Sequence, residues 1–121
     1  MTKENDMKIK TKDLEGPALA YAIAQFTPDL MQIGNCFYIR DAEGERVLFN
    51  PAGNWSQGGP IIEREKIDTE FDPNGAEVVM ARLWRDKRKY RAYGPTPLIA
   101  AMRAFVVSKL GDEPEVPDAL T

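Results

Sequence analysis

The 121-residue sequence contains no histidine and a single cysteine, Cys36. Histidine is the commonest general base and the commonest metal ligand, so its absence removes the usual basis of both kinds of site. One cysteine without histidine cannot supply the four ligands of a zinc site, and it cannot form an internal disulfide. Ser-His and Cys-His nucleophile pairs are excluded for the same reason. We therefore expect a protein that is not an enzyme and that uses no metal and no cofactor.

Long apolar segments and nucleotide-binding glycine patterns are missing as well. No run approaches the roughly 20 apolar residues that cross a bilayer, and no apolar segment of a secretory signal follows the polar residues 1–6. Neither GxGxxG nor GxxxxGK[ST] occurs. We expect a protein in the cytoplasm of its cell, without a membrane partner. Cys36 stands among apolar residues and is expected to be buried and unreactive.

What is present is typical of one globular domain. Hydrophobic residues make up 43% of the chain and charged residues 29%, with a net charge of −3. We expect a flexible N-terminal extension over residues 1–6 and a single domain over residues 7–111. Residues 112–121 are acidic and contain two prolines, which predicts a mobile tail.

The order of the predicted elements indicates an α+β fold. A first helix begins at Gly16-Pro17 and ends before Pro28, and a second begins after Thr96, a typical N-cap followed by proline. Gly111 is a candidate C-cap of that last helix. We expect the two helices to pack on a mostly antiparallel sheet, although the sequence pattern does not determine the strand order.

The strands are predicted from alternating and β-branched segments between turn residues. Asn50–Pro60 is dense in turn-forming residues and is predicted to be a surface loop, and 71–75 another turn. A tight turn at Asp86-Lys87 separates the last two predicted strands. The predicted strands are Met7–Thr11, Cys36–Arg40, Arg46–Asn50, Glu77–Arg85 and Lys89–Tyr93.

Three segments carry a family resemblance: Asn54–Glu65, Gly94–Arg103 and Ser108–Glu113. Together they resemble the NinX-like family of small phage and prophage proteins, and the similarity extends from about Met7 to the C-terminus with a variable middle. The resemblance implies a phage or prophage gene and no particular biochemical activity. A function has to be argued from the residues.

The first candidate site combines the tryptophan loop with the start of the last helix. A ring in a turn-rich segment offers a stacking surface, and two adjacent glycines allow close approach of a ligand. The N-terminus of a helix attracts anions. The alternatives are a tryptophan that closes one end of the core and a threonine that only caps its helix. The candidate ligand-binding residues are Asn54, Trp55, Gln57, Gly58, Gly59, Arg91, Thr96 and Arg103.

The second candidate is a basic segment in which Trp84 and Tyr93 are interleaved with cations. If the two strands of this segment pair, cations and rings share one surface, which is suited to phosphates and bases. The alternative is a solvated hairpin whose charges protect an exposed edge. The candidate nucleic-acid-binding residues are Arg82, Arg85, Lys87, Arg88, Lys89, Tyr90 and Arg91.

From these patterns we expect a phage accessory protein that acts by binding. Its expected partner is a host protein or a small anionic, nucleotide-like ligand, with nucleic acid at the basic hairpin as the alternative. Small residues on one face of the last helix (Ala101, Ala104 and Ser108) permit close packing, either on the sheet or in a homodimer.

Overall fold

A computed structural model describes residues 6–72, 74 and 78–120 of the chain. Within these residues the helices and strands form an α+β domain, as predicted. The helices are α1 (Gly16–Ala24), α2 (Trp55–Glu65) and α3 (Pro97–Leu110), and single 3-10 turns lie at Thr11–Asp13 and Asp118–Leu120. The strands are β1 (Asp6–Lys8), β2 (Met31–Ile33), β3 (Cys36–Arg40), β4 (Arg46–Leu48), β5 (Asp68–Phe71), β6 (Val79–Arg85), β7 (Arg88–Gly94) and β8 (Glu115–Pro117).

The described strands form three small antiparallel sheets. Their orders are β1-β8, β2-β3-β4 and β5-β6-β7. Helix α3 packs across one face of the β5-β6-β7 sheet, and α1 contacts both α3 and β3. The core therefore lies between α3, the sheet beneath it and α1, and it includes the fully buried Leu19, Met102 and Phe105.

Helix α3 begins and ends where its sequence predicts. The Thr96 hydroxyl accepts a hydrogen bond from the Ile99 N–H at 3.1 Å, which satisfies a backbone donor in the first turn. Gly111 ends the helix with a φ of 83°, a conformation that favours glycine. Ala101 and Ala104 are fully buried, so the small-residue face of the helix packs within the chain.

The β6–β7 hairpin also follows its predicted turn. Asp86 and Lys87 have positive φ values of 54° and 65°, as a two-residue turn that matches the twist of its strands requires. Residues alternate along β6, and Val79, Ala81 and Leu83 are buried under α3. The strand is described from Val79 onward, and the predicted start at Glu77 lies outside the described residues.

The predicted surface loop over Asn50–Pro60 is wrong, because α2 begins at Trp55. The side chain of Asn54 caps it by accepting from the Ser56 N–H at 2.9 Å. Gly58, Ile61 and Ile62 then recur at helical spacing and face the core. The helix could not be recognised from the sequence pattern because its first turns contain glycine and proline, which usually indicate a loop.

The C-terminal segment, for which the sequence predicts a mobile tail, pairs with the start of the described chain. Val116 in β8 lies opposite Met7 in β1 and is fully buried. The Thr11 hydroxyl donates to the Gly111 carbonyl at 2.7 Å, and the Thr11 N–H donates to the Asp112 carbonyl at 2.7 Å. An acidic, proline-containing segment is held here by strand pairing and one buried valine. Asp6 belongs to β1, whereas residues 1–5 of the expected extension lie outside the described residues.

Cys36 is half-buried and not buried as predicted. Phe37 and Ile39, its neighbours in β3, pack against the core. Cys36 is the first residue of β3, at the end of the strand. It lines an apolar hollow of about 130 Å³ together with residues of α1 and β4.

Candidate functional site

The polar side chains of the first candidate site bond to the protein's own backbone. Gln57 accepts from the Asn50 N–H and donates to the Leu48 carbonyl at 3.1 Å, which ties α2 to the end of β4. Asn54 caps α2, and Thr96 caps α3. Gln57 therefore joins two elements, and Asn54 and Thr96 each satisfy a backbone donor in the first turn of their own helix.

Gly58 and Gly59 differ sharply in their surroundings. A Cβ atom on Gly58 would collide with the Pro51 carbonyl oxygen and lie 2.6 Å from Leu98 Cδ2. On Gly59 the nearest contact would be Trp55 Cε3 at 3.9 Å. Gly58 thus brings the first turns of α2 and α3 together, as the sequence hypothesis required. It does so by direct packing of the two helices.

Arg103 and Arg91, the two cations assigned to this site, lie in different environments. Arg103 donates to the Leu14 carbonyl at 2.8 Å and to the Tyr93 carbonyl at 2.9 Å. Partial burial lowers the pKa of this guanidinium, and the carboxylates Glu15 and Asp13 act in the opposite direction. It remains a cation, since arginine is not deprotonated in proteins. Arg91 is exposed on the opposite side of the sheet from α3.

Trp55 is 59% exposed, so it does not close one end of the core. We expect Trp55→Ala to change the free energy of unfolding by less than about 1 kcal/mol, because exposed side chains away from special features contribute little. A buried tryptophan would cost about 3–5 kcal/mol on the same truncation. Thermal denaturation of the variant measures the difference. A loss in the larger range would show that the ring is part of the core.

The second candidate site is divided between the two faces of the hairpin. Arg85 and Tyr90 lie on the same side as the buried Leu83. Arg85 donates to Glu65 Oε1 at 2.6 Å and to the Ser108 hydroxyl at 3.2 Å, so it is bound inside the domain. Tyr90 is half-buried, with the Arg88 guanidinium 5.8 Å from its ring centroid. Lys87 is exposed in the turn.

The other side of the hairpin presents rings and cations together. Cross-strand pairs place Met80 opposite Tyr93, Arg82 opposite Arg91 and Trp84 opposite Lys89. We call the surface formed by these six residues the hairpin face. Its rings are open to solvent, with Trp84 65% and Tyr93 49% exposed.

Electrostatic contacts organise the hairpin face. The Lys89 Nζ lies 5.7 Å from the Trp84 ring centroid, a cation–π contact. Arg82 forms an exposed ion pair with Glu70 of β5 at 3.1 Å. Lys89 and Arg91 stand on β7, the edge strand on the side away from β5. The positive charge of the face is therefore concentrated along β7.

Of the predicted cations, Arg82, Lys89 and Arg91 lie on this surface, and the predicted site residues do not include Trp84 and Tyr93. The signal was available: both rings have the same strand parity as Arg82 and Arg91 once the turn at Asp86-Lys87 sets the register. The same parity separates Arg85 and Tyr90 from the surface. Periodicity across the whole hairpin, and not the density of charge, identifies this face.

Within the described residues, no group of three or more metal-ligating side chains is close enough together to hold an ion. None of the helices described is long and apolar enough to cross a bilayer.

Comparison with known proteins gives one family. The model of the family described as "Bacteriophage P22, NinX" matches residues 10–109, which include the hairpin face and the first candidate site. No curated protein matches the chain.

Proposed function

The chain belongs to the bacteriophage P22 NinX family, and from that premise we propose that it is a phage accessory protein that binds nucleic acid through the hairpin face. It acts by binding and not by catalysis, in the cytoplasm of the bacterial host. The observation that carries the proposal is the open side of the hairpin, where two exposed aromatic rings alternate with three cations.

Each part of this surface suits a different part of a nucleotide. Exposed aromatic rings stack on bases, and every base has a face to offer. Lysine and arginine side chains contact phosphates. Trp84 and Tyr93 are both open to solvent on a sheet that has a well-packed opposite face, so their rings are available for contact with a partner.

The acidic net charge of −3 limits the affinity. Long-range attraction depends on the whole charge distribution, so a weakly acidic protein gains little from steering. At contact distance the binding free energy depends mainly on the local charge, and the β7 side of the hairpin face carries Lys89 and Arg91. We therefore expect moderate affinity at low salt that falls as salt rises.

A small anionic ligand or a host protein at the first candidate site has less support. The side chains of Asn54, Gln57 and Thr96 form hydrogen bonds to backbone groups of the chain itself. Trp55 is exposed, and among the described residues no cation lies over its ring, in contrast to Trp84 beside Lys89. On the hairpin face, by contrast, an exposed ring and a cation are in contact at Trp84 and Lys89.

The test is a charge-neutralising double variant, Lys89→Gln with Arg91→Gln, assayed by fluorescence anisotropy with a labelled oligonucleotide at several salt concentrations. A plot of log K against log salt has a negative slope, and each phosphate contact removed makes that slope shallower by roughly 0.7–0.9. We expect the slope of the double variant to be shallower by roughly 1.5, together with weaker binding at low salt.

The matched control is Lys8→Gln with Arg40→Gln, which removes the same charge from exposed positions in the other two sheets. The control should bind like the parent protein. Absence of binding at low salt and tens of micromolar protein, or equal effects of the two double variants, would overturn the proposed function.

A further inference from the structure

The two rings of the hairpin face lie at opposite ends of it. The row Met80–Tyr93 and the row Trp84–Lys89 are separated by the row Arg82–Arg91. Same-face positions recur every second residue at about 3.3 Å per residue, so the two outer rows are about 13 Å apart. Stacked bases of one strand are only about 3.4 Å apart. Two bases on these two rings therefore cannot be stacked neighbours.

From this spacing we infer that the ligand is a single-stranded polynucleotide that lies along β7 in an unstacked form, with one base on Trp84 and another on Tyr93. The inference rests on the proposed function and names its substrate class. A base-paired duplex keeps its bases stacked and offers no free base face to either ring. Single-stranded DNA and single-stranded RNA both present bases on a phosphodiester backbone. The experiment below therefore compares one with the other.

A path for the phosphates runs beside the rings. An open polar groove lies between β7 and the end of α3, and its lining includes Arg88, Lys89, Arg91 and Lys109. Asp112 is the acid in that lining. Lys89 and Arg91 belong both to the groove and to the hairpin face, which makes β7 the boundary between base and phosphate contacts.

The backbone of β7 supports the same path. Arg85 and Arg88 close the two-residue turn and face each other as a hydrogen-bonded pair. The alternation of an antiparallel ladder then directs the main-chain groups of Lys89, Arg91 and Tyr93 toward the free edge. The Tyr93 carbonyl agrees with this, since it accepts from Arg103 and not from β6. Main-chain N–H groups at that edge are suited to phosphate oxygens.

The experiment compares Trp84→Ala with Trp55→Ala, because both remove an exposed tryptophan and only one belongs to the hairpin face. The probes are labelled 12-nucleotide oligo(dT), 12-nucleotide oligo(rU) and a 12-base-pair DNA duplex. We expect both single strands to bind the parent protein more tightly than the duplex does. Trp84→Ala should weaken oligo(dT) binding at least 10-fold, Tyr93→Ala roughly 5-fold or more, and Trp55→Ala less than 2-fold.

A second readout separates stacking from folding. In a Trp55→Phe protein, Trp84 is the remaining tryptophan of the two in the chain, and its fluorescence should be quenched when oligo(dT) binds. Trp84→Phe should restore affinity to within about 3-fold of the parent, because a phenyl ring still stacks. Both variants should unfold at temperatures near that of the parent.

The outcomes separate the two claims. Duplex binding as tight as oligo(dT) binding, with no effect of Trp84→Ala, would overturn the single-strand inference and leave the proposed function standing. Failure of all three probes to bind would overturn both. A preference for oligo(dT) over oligo(rU), or the reverse, identifies which polynucleotide the surface takes.

Discussion

Gly58→Ala is expected to destabilise the domain by about 2–3 kcal/mol, which is a large change for one methyl group. The added Cβ would meet the Pro51 carbonyl oxygen and lie 2.6 Å from Leu98 Cδ2. Because the Pro51 oxygen is a backbone atom, a rotamer change cannot relieve that collision, and α2 has to move away from the segment that contains Pro51. The higher helix propensity of alanine offsets only part of this loss of stability. Thermal denaturation should show a melting temperature lower by roughly 10 °C.

Gly59→Ala is the control, since it makes the same substitution one residue further along the same helix. Its Cβ would meet Trp55 Cε3 at 3.9 Å, an ordinary contact. Alanine is favoured over glycine in a helix, but a Cβ directly before Pro60 is disfavoured in the helical conformation, so this variant should differ from the parent by less than about 1 kcal/mol. Equal effects of the two substitutions would mean that Gly58 does not pack against Pro51 and Leu98 as described.

The parts of the fold that local chemistry determines could be predicted from the sequence. Thr96 and Pro97 define the start of α3, Gly111 defines its end, and two turn residues define the hairpin. In each case a single backbone requirement selects a few residue types at a fixed position. These residues can be recognised in the sequence even when the elements that pack on the helix or hairpin are unknown.

The parts that depend on distant residues could not be predicted in the same way. Helix α2 contains two glycines and a proline, and Gly58 is tolerated there because Pro51 and Leu98 leave no room for a side chain. Strand β8 is ordered because β1, more than a hundred residues earlier, lies beside it. Neither contact leaves a periodic pattern in the local sequence.

The candidate site shows the same division. Its cations were evident from charge density, and its rings required the hairpin register. The first candidate site illustrates the opposite case. The sequence predicts that its polar residues bind a ligand, but helix capping and hydrogen bonding to backbone carbonyls require the same residue types. The residues concerned are Asn54, Gln57, Thr96 and Arg103. Sequence alone does not distinguish a polar group offered to a ligand from one that is already bonded.

An ion pair lies behind the hairpin face, between Glu65 at the end of α2 and Arg85 of β6. Their side chains are 16% and 23% exposed. Arg85 also lies over the Phe105 ring of α3, with its Cζ 5.9 Å from the ring centroid, and donates to the Ser108 hydroxyl. One guanidinium thereby joins α2, β6 and α3 directly beneath the strand that carries Trp84.

We expect Glu65→Gln to destabilise the domain by about 2–3 kcal/mol at pH 7, the usual range for a hydrogen bond to a charged group that loses its partner's charge. Burial raises the pKa of Glu65, but hydrogen bonds from Arg64 and Arg85 outweigh it and hold the pKa below its ordinary value of 4.5. A depressed carboxyl pKa adds stability above the unfolded pKa, and this stability is lost as the pH falls through the folded value. The parent protein should therefore lose more stability than Glu65→Gln between pH 7 and pH 3.

Glu63→Gln is the control for this pair, because Glu63 is exposed near the same C-terminal end of α2. Both substitutions remove a negative charge that is unfavourable at a helix C-terminus, so the difference between them isolates the contacts of Glu65. We expect Glu63→Gln to be neutral or slightly stabilising, with the pH dependence of the parent. Urea unfolding of the three proteins at pH 7, 5, 4 and 3 measures the effect. If the gap between Glu65→Gln and Glu63→Gln is the same at pH 3 as at pH 7, the charge of Glu65 does not stabilise the fold.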